Sequence, residues 1–310
     1  MTPGSHLVDR AGPGPGTLQP MISDDSSDIW VGRRFGSYRV EDILGRGTVS
    51  VVYKAVRPDG LEVALKVLTA FGLANHTVRT LFEQEWRLGA RFDHPNVVPV
   101  DRGGEIGGSL YLEMPLIDGV TVADELRPDR RMSEARAAGV ARQIGLGLEH
   151  VHLRHVVHRD VKPSNVLLDD ERAFIFDFGL ALDLDGDAPH TGRVYGSPMY
   201  LSPEQAAGAP VDGRADLYCL GATLYRMVAG RAPFYGDRAD LLYAHQHEKP
   251  SRPVHVGNEL FDIISWAMAK QPADRPQTGG ELADRLACAM PRLDAAAAPR
   301  RGRLRDWFGA

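Results

Sequence analysis

A short polar run near the middle of the chain constrains its fold more than any other feature. Residues 158–165 read His-Arg-Asp-Val-Lys-Pro-Ser-Asn, and residues 177–179 read Asp-Phe-Gly. Asp160 supplies a carboxylate that can act as a base, while Asn165 and Asp177 supply oxygen ligands of the kind that Mg²⁺ prefers. These side chains can act together only if the chain folds so that the two runs meet. A base beside two metal-binding positions points to phosphoryl-transfer chemistry.

The composition is that of an ordinary globular protein. The chain has 310 residues, of which 43% are hydrophobic and 25% charged, so it can bury a sizeable core in one bilobal or two smaller domains. A formal net charge of -5 argues against a nucleic-acid-binding surface, which needs an excess of Lys and Arg. Cys219 and Cys288 each lie in an apolar helical pattern, which favours reduced thiols in a cytoplasmic protein. No apolar run reaches the ~18 residues that a membrane span requires.

The first third of the chain reads as a leader followed by strands. Residues 1–35 are rich in Gly, Pro, Ser and Asp, and we expect a disordered leader there. Strands separated by glycine-bearing or Pro-Asp-Gly turns predict a small antiparallel sheet. The expected elements are strands at 38–40, 51–53, 63–67, 97–100 and 109–114, and a helix at 76–91.

The rest of the chain reads mainly as helices. We expect short strands at 166–168 and 174–176, and helices at 133–155, 213–229, 237–247, 258–269 and 280–290. This order predicts an α+β fold with an N-terminal lobe at 36–114, a hinge at 115–119 and a C-terminal lobe at 120–290. The Ala/Arg-rich tail at 291–310 is read either as a solvated tail or as a segment that contacts a membrane or a partner.

The two polar runs, in this order, closely resemble the catalytic and metal-binding loops of protein Ser/Thr kinases of the bacterial, eukaryotic-like type. The resemblance covers roughly residues 37–290. It implies the bilobal protein-kinase fold, with a small antiparallel β-sheet lobe carrying one main helix and a larger, mainly helical lobe. It also implies that the cofactors are ATP and Mg²⁺, with Mn²⁺ as an alternative. Lys162, two residues after the base, resembles Ser/Thr kinases rather than tyrosine kinases.

The resemblance assigns roles to the catalytic loop. Asp160 would accept the proton of the attacking hydroxyl or orient it, and Lys162 would neutralise charge on the transferred group. Asn165 and Asp177 would hold Mg²⁺.

A lysine and a glutamate complete the predicted catalytic set. Lys66 ends a strand-like run, where the resemblance implies contact with the α- and β-phosphates. A helix-borne carboxylate would hold this lysine. Glu85 is the expected carboxylate, because its distance from the turn at 94–96 resembles that in related bacterial kinases, and Glu83 is the alternative.

A glycine-bearing hairpin at residues 44–53 is the expected cover for the phosphates, because glycine lets backbone N–H groups approach phosphate oxygens. The family carries a third glycine where this chain has Ser50, so we expect a stiffer loop. The ATP-binding positions implied by the resemblance are Leu44, Gly45, Gly47, Val52, Ala64, Lys66, Met114, Pro115, Ile117 and Leu167. For Val52, Ala64 and Leu167 the alternative interpretation is that they belong to the ordinary hydrophobic core.

Residues 177–204 resemble an activation segment. Ser197 replaces the commoner threonine, and its hydroxyl should bridge Asp160 and Lys162. Thr191 is the expected autophosphorylation site, and Arg159 would pair with the new phosphate. An unmodified loop threonine is the alternative reading of Thr191.

Three further residues are expected to have structural roles. Asp216 should hold the backbone of the catalytic loop, and Arg275 should pair with Glu204.

The sequence therefore predicts a cytoplasmic, ATP-dependent, non-specific Ser/Thr protein kinase that autophosphorylates in its activation segment. Its expected partners are protein substrates, with neither nucleic acid nor a transmembrane segment, and a homodimer would allow autophosphorylation in trans. A second interpretation, from another class, is a nucleotide-binding pseudokinase or regulatory scaffold, which only Ser50 favours. A small-molecule phosphotransferase is the third, which the resemblance of residues 197–204 to a protein-substrate segment disfavours.

Overall fold

The computed structural model describes residues 30–126, 130–186 and 194–297, with side chains described as far as residue 294. Its N-terminal part is built on a six-stranded antiparallel sheet with the strand order β1-β2-β3-β4-β6-β5. These strands are β1 (Arg34–Phe35), β2 (Tyr38–Arg46), β3 (Ser50–Val56), β4 (Glu62–Leu68), β5 (Arg102–Ile106) and β6 (Ser109–Pro115).

The period of two in these strands explains how the sheet is buried. Val51, Tyr53 and Ala55 alternate along β3 and pack into one apolar cluster on one face of the sheet. Ala64 and Leu68 of β4 join a second cluster on the other face. Because an apolar cluster covers each face of β4, the strand and the side chains that it carries are held in fixed positions.

Two helices separate β4 from β5. They are α1 (Ala70–Ala74) and α2 (His76–Gly89). The side chain of Asn75 caps α2 by accepting a hydrogen bond from the backbone N–H of Val78. The buried face of α2 carries Phe82, Glu85 and Leu88, so a carboxylate lies among apolar neighbours beneath the sheet.

The C-terminal part is mainly helical. Its short strands are β7 (Val120–Thr121), β8 (Val156–Val157), β9 (Val166–Asp169), β10 (Arg172–Ile175) and β11 (Leu182–Asp183). Its helices are α3 (Val122–Glu125), α4 (Glu134–His152), α5 (Pro203–Ala206), α6 (Gly213–Ala229), α7 (Arg238–His247), α8 (Asn258–Ala267) and α9 (Gly279–Ala297). The strands β10-β9-β7 form one small sheet and β8 pairs with β11, and residues 158–165 lie between β8 and β9.

Helix α6 lies at the centre of this part. It is buried on nearly all sides, as expected for a helix without a polar face. Asp212 caps its start by accepting from Arg214 N, and Gly230, in the left-handed conformation at φ 74, ends it. Helix α9 packs against α4, where a Cβ at Gly279 would lie 2.1 Å from Gly145 O, so this crossing requires glycine.

The predicted α+β architecture is confirmed, but one strand prediction is wrong. Residues 97–100 are not a strand; Val97 forms only an isolated bridge with Ile175, and Val98 N donates to Ile175 O. The apolar run exists because Val97, Val98 and Val100 are buried, and a short buried run does not distinguish a strand from irregular chain. The sheet instead gains β5, whose sequence Arg-Gly-Gly-Glu-Ile is not strand-like.

The boundaries at both ends also differ from prediction. Residues 30–35, predicted as part of the disordered leader, contain β1, and Trp30 packs edge-on against the buried ring of Phe35. Helix α9 continues through Pro291 to Ala297, beyond the predicted start of the tail at 291. The predicted hinge begins inside β6, which includes Pro115. The rest of the leader, residues 1–29, and of the tail, residues 298–310, lie outside the described residues.

Within the described ranges, the structure contains no helix long and apolar enough to cross a membrane.

Candidate active site

Lys66, Glu85 and Asp177 form a compact ion cluster beneath the sheet. Lys66 Nζ donates to both carboxylate oxygens of Glu85 at 2.8 Å and to Asp177 Oδ1 at 2.9 Å. Lys66 comes from β4 and Glu85 from the buried face of α2. Glu83, the alternative partner, lies on the exposed face and pairs with Arg79.

The cluster controls the charges of its members. Burial lowers the pKa of Lys66, but the carboxylates of Asp177 and Glu85 outweigh this effect and raise it overall. The Lys66 ammonium lowers the pKa of Asp177 to about 2. Burial raises the pKa of Glu85 above that of an ordinary glutamate, and Lys66 opposes the rise. At neutral pH Lys66 is therefore charged and Asp177 is an anion.

The Asp-Phe-Gly run is fixed by its backbone and by ring packing. Asp177 adopts a left-handed backbone at φ 67, which is strained for a residue other than glycine. The ring of Phe178 packs between Phe92 and His158, with centroid distances of 4.6 and 4.8 Å. Gly179 leaves room for the carboxylates, because a Cβ there would lie 3.3 Å from both Asp177 Oδ1 and Glu85 Oε2.

Asp160 is held by three side chains. Lys162 Nζ donates to Asp160 Oδ2 at 2.6 Å, and Asn165 Nδ2 donates to the same oxygen at 3.1 Å. Ser197 donates to Asp160 Oδ1 from its hydroxyl at 3.0 Å and from its backbone N–H at 3.1 Å. Lys162 Nζ also donates to Ser197 Oγ at 2.9 Å, so the serine hydroxyl bridges the carboxylate and the ammonium.

The backbone of the predicted catalytic loop, residues 158–165, is anchored by Asp216 of α6. The N–H groups of His158 and Arg159 each donate to this buried carboxylate at 2.8 Å. His152 Nε2 lies 2.8 Å from Asp216 Oδ2, a contact that sequence reasoning missed because the two residues are far apart in the chain. The anchor stabilises the left-handed backbone of Arg159, whose φ is 65.

The Arg159 side chain contacts the start of the activation segment. Its Nε donates to Leu180 O at 2.6 Å, and its guanidinium carbon lies 5.1 Å from the ring centroid of Tyr195. Thr191, the predicted phosphorylation site, lies outside the described residues. The predicted contact between Arg159 and a phosphate at that position stays a prediction.

The glycine-bearing hairpin forms a turn between β2 and β3. Gly47 N donates to Ser50 O at 2.8 Å, and a Cβ at Gly45 would meet no atom within 4 Å, so the backbone has open space there. Ser50 belongs to β3 and has no positive φ. Its position therefore does not require glycine, and the side chain adds no backbone strain.

The apolar residues predicted to line the ATP site lie together, between the N-terminal sheet and the helical C-terminal part. Ala64 is paired with Met114 across β4 and β6, and both belong to one buried cluster. The partly buried side chains that pack against this cluster include Val52, Leu116, Ile117 and Leu167. Leu44 is half exposed at the end of β2, before the glycine turn.

The residues present fit a nucleotide with its metal. Within the described ranges no group of three or more His, Cys, Asp or Glu side chains could hold a metal ion unaided. Asn165 and Asp177 offer two oxygen-bearing side chains, and Mg²⁺ is commonly held by one or two carboxylates together with substrate phosphates. This donor set suits a metal that arrives with a phosphate ligand.

Arg275 forms a buried ion pair with Glu204. Its Nη1 and Nη2 donate to the two Glu204 carboxylate oxygens at 2.7 and 2.8 Å. The guanidinium also donates to the carbonyls of Ala269, Arg214 and Lys270. This contact connects the end of the activation segment to the base of the helical part.

Three contacts that position the activation segment go beyond the sequence prediction. Gln84 of α2 donates to Ala181 O at 2.9 Å, and Arg91 pairs with Asp183 at 2.9 Å. Gln205 Nε2 donates to Arg159 O at 2.7 Å. Of these three contacts, only that of Gln84 has any indication in the sequence, because Gln84 is next to Glu85 on the same predicted helix.

Comparison with known proteins is consistent with this geometry. The family model of the protein kinase domain matches residues 38–285. The chain belongs to the protein kinase family. The chain is 37% identical over 277 residues to the serine/threonine-protein kinase PknJ of Mycobacterium tuberculosis. The aligned region covers 85% of this chain and 47% of that protein. It is 35% identical over 280 residues to PknE of the same organism, covering 87% of this chain and 49% of that protein.

The kinase fold is also found in a solved structure. The crystal structure of the PknI kinase domain of Mycobacterium tuberculosis, in a cysteine-to-alanine mutant, is 30% identical and superposes with a TM-score of 0.63, covering 85% of this chain and 98% of that one. The relatives are named serine/threonine-protein kinases. The chain spans about half the length of the curated relatives that it matches.

Proposed function

We propose that this chain is an ATP-dependent Ser/Thr protein kinase that transfers the γ-phosphoryl group to protein hydroxyls and autophosphorylates in its activation segment. The observation that carries the proposal is the environment of Asp160, whose carboxylate contacts Lys162, Asn165 and Ser197 together. Such an arrangement orients a carboxylate toward an attacking hydroxyl. The names of the relatives support the choice of Ser/Thr over other acceptors.

In this proposal each side chain has a separate task. Asp160 orients the substrate hydroxyl and accepts its proton. Lys162, 2.6 Å from Asp160 Oδ2, places a positive charge where negative charge develops. Lys66, fixed by Glu85, would contact the α- and β-phosphates of ATP.

The metal would be held by Asn165 and Asp177. Mg²⁺, with Mn²⁺ as an alternative, would neutralise phosphate charge when bound. The lowered pKa of Asp177 keeps this ligand ionised at neutral pH without a proton to displace.

The partners and the location of the domain are also proposals. Residues 197–204 would bind the protein substrate, since Ser197 contacts Asp160 directly. Autophosphorylation at Thr191 in trans, between two copies, would add an anion for Arg159. The use of ATP and the two free cysteines, Cys219 and Cys288, support a cytoplasmic location of this domain.

Incubation of the purified protein with Mg²⁺ and labelled ATP, beside Asp160→Asn, tests the proposal. We expect label on Thr191 or a neighbouring residue in the wild type only, located by mass spectrometry. If neither protein becomes labelled or phosphorylates a basic protein substrate, while ATP still raises the melting temperature, the chain is a nucleotide-binding pseudokinase. Equal activity of Thr191→Ala and the fully phosphorylated wild type would contradict the role of Thr191.

A further inference from the structure

The indole of Trp86 lies directly on the backbone of Gly103, at the edge of the N-terminal sheet. A Cβ built on Gly103 would lie 2.6 Å from Trp86 Cδ2 and 2.7 Å from Trp86 Cγ, closer than side-chain carbons approach one another. The ring therefore needs glycine at this position of β5, although 39% of Trp86 is exposed to solvent. This contact joins α2 to the edge strand and takes no part in the mechanism above.

Gly103 lies in the same row of the sheet as the proposed phosphate-binding lysine. Gly103 of β5 is paired with Leu112 of β6, and Leu112 is paired with Lys66 of β4. Directly opposed residues project to the same face of a sheet, and neighbouring strands lie about 4.8 Å apart. Gly103 and Lys66 are therefore about 10 Å apart on one face, with the buried Leu112 between them.

Two consecutive residues of α2 contact the two ends of this row. Lys66 Nζ donates to Glu85 Oε1 at 2.8 Å, and the next residue, Trp86, lies on Gly103. Consecutive residues project about 100° apart around a helix axis, so a rotation of α2 that withdraws Glu85 from Lys66 must also move the indole over Gly103. Two contacts at different angles fix the rotation of a helix, which a single ion pair does not.

The last turn of α2 also lies close to the chain that leads into β5. A Cβ on Gly89 would lie 2.3 Å from Val100 Cγ2, and Val100 N donates to Gly89 O at 3.3 Å. Arg79, in the first half of the helix, reaches β5 through an exposed ion pair with Glu105 at 3.3 Å, which contributes little. The close packing between the helix and the edge strand is thus in the half of α2 that carries Glu85.

We propose that Trp86 is a positioning residue for phosphoryl transfer, because its indole on Gly103 fixes the rotation of α2 that keeps Glu85 on Lys66. This inference rests on the proposed function, in which Lys66 contacts the α- and β-phosphates of ATP. Trp86 itself would touch neither nucleotide nor protein substrate, since it lies against the edge strand. Without its contact, α2 would populate rotated positions in which Lys66 loses Glu85, and the phosphates would lose a fixed cation.

Substitutions on both sides of the contact test this role. Trp86→Ala removes the indole, whereas Trp86→Phe keeps an aromatic ring over the glycine. Gly103→Ala inserts a methyl group where the ring lies, and Gly104→Ala is its matched control, because a Cβ there would meet Tyr111 Cε1 at an ordinary 3.5 Å. The double variant Trp86→Ala/Gly103→Ala places the methyl group in the space that the indole has left.

Steady-state kinetics with myelin basic protein as substrate provide the first readout. We expect Trp86→Ala and Gly103→Ala each to lower kcat roughly 10- to 100-fold, as a misplacement of up to about 1 Å does, and to leave the KM for the protein unchanged. Trp86→Phe and Gly104→Ala should keep kcat within about twofold of the wild type.

The double variant shows whether the two single substitutions act through one contact. Its kcat should be no lower than that of Trp86→Ala, because the methyl group of Gly103→Ala then has no indole to displace. A loss in kcat equal to the product of the two single losses would overturn the proposal. Equal kcat values for Gly103→Ala and Gly104→Ala would also overturn it.

Nucleotide binding separates a positioning role from a general loss of stability. Isothermal titration calorimetry with Mg²⁺, in the Asp160→Asn background, compares ATP with adenosine, which lacks the phosphates that Lys66 would contact. We expect Trp86→Ala to weaken ATP binding roughly 10-fold, the effect of one charged contact, and to leave the affinity for adenosine unchanged. An equal loss of affinity for both ligands, or a loss for neither, would overturn the proposal.

The two readouts distinguish this inference from the proposed function. A wild type that binds ATP but transfers no phosphate would refute the kinase activity, and the comparison of ATP with adenosine would still decide the role of Trp86. An active wild type whose Trp86 and Gly103 variants match it in kcat and in ATP affinity would refute the role of Trp86 alone.

Discussion

Lys66 Nζ lies 2.8 Å from both carboxylate oxygens of Glu85, which places the central strand and the buried face of α2 in direct contact. The same ammonium reaches Asp177 at 2.9 Å, at the start of the activation segment. One cation therefore joins the sheet, α2 and the Asp-Phe-Gly run at residues 177–179. A change in the position of α2 must alter the charge environment of the proposed phosphate site.

Glu85→Gln tests this connection. Removing the negative charge frees Lys66 to pair with Asp177 alone, so we expect kcat to fall roughly 10²-fold, as for loss of one preorganised electrostatic contact. Glu83→Gln is the matched control, because it removes a carboxylate from the same helix but breaks only an exposed pair with Arg79. Its stability should change by less than about 0.5 kcal/mol. Equal effects of the two variants on kcat would contradict the assignment.

Ser197 provides a second test, because the chain has serine at a position where threonine is commoner in the family. Ser197→Thr keeps the hydroxyl that bridges Asp160 and Lys162, and we expect kcat close to that of the wild type. Ser197→Ala removes a hydrogen bond to charged groups, a loss of about 1.5–3 kcal/mol, so kcat should fall roughly 10- to 100-fold. Kinetics with protein substrate at saturating ATP would show this difference. A fully active alanine variant would show that the bridge has no role in catalysis.

Local sequence patterns predict the regular elements well. Helix α6 occupies residues 213–229 as expected, because its apolar run is bounded by a capping Asp212 and a terminal Gly230. The choice between Glu83 and Glu85 is harder. Residues two apart point to different sides of a helix, so only the packing of α2 shows which one is buried.

Local sequence patterns do not predict contacts between residues that are far apart in the chain. The pairing of His152 with Asp216 joins residues 64 positions apart, and Tyr218 meets His245 across 27 positions. A histidine in an apolar helix pattern gives no sign of which group it will face. The strand predicted at 97–100 fails for a related reason, because burial and not pairing explains its valines.

Arg275→Ala should destabilise the fold far more than it affects nucleotide binding. The guanidinium is fully buried, and its loss leaves the Glu204 carboxylate without its partner, which costs about 3–5 kcal/mol. Urea denaturation would measure this change in the free energy of unfolding. Arg292→Ala is the control, since that arginine forms an exposed pair with Glu259, and its effect should stay below about 1 kcal/mol. Equal stability losses in the two variants would contradict the argument.

His245 should make stability depend on pH in the acidic range. Burial lowers its pKa from 6.5 to about 4, so between these values the unfolded chain binds a proton that the folded protein does not. Stability should therefore fall as pH decreases from about 6.5 to 4, by about 3 kcal/mol from this residue. His245→Gln lacks the titrating group, so its stability should fall less over this range. Parallel curves of unfolding free energy against pH would contradict the shift.

Ser50→Gly introduces the glycine that the family resemblance leads us to expect in the proposed phosphate-binding hairpin, and it tests the pseudokinase interpretation. Ser50 lies in β3, opposite Leu68, and has no positive φ, so glycine offers no conformational relief there. We expect the substitution to destabilise the protein by about 0.5–1 kcal/mol, the entropic cost of glycine in a strand. Phosphoryl transfer to a basic protein should change less than about twofold, since the contacts of Asp160 and Lys66 are untouched. A variant that becomes active from an inactive wild type would instead show that Ser50 blocks catalysis.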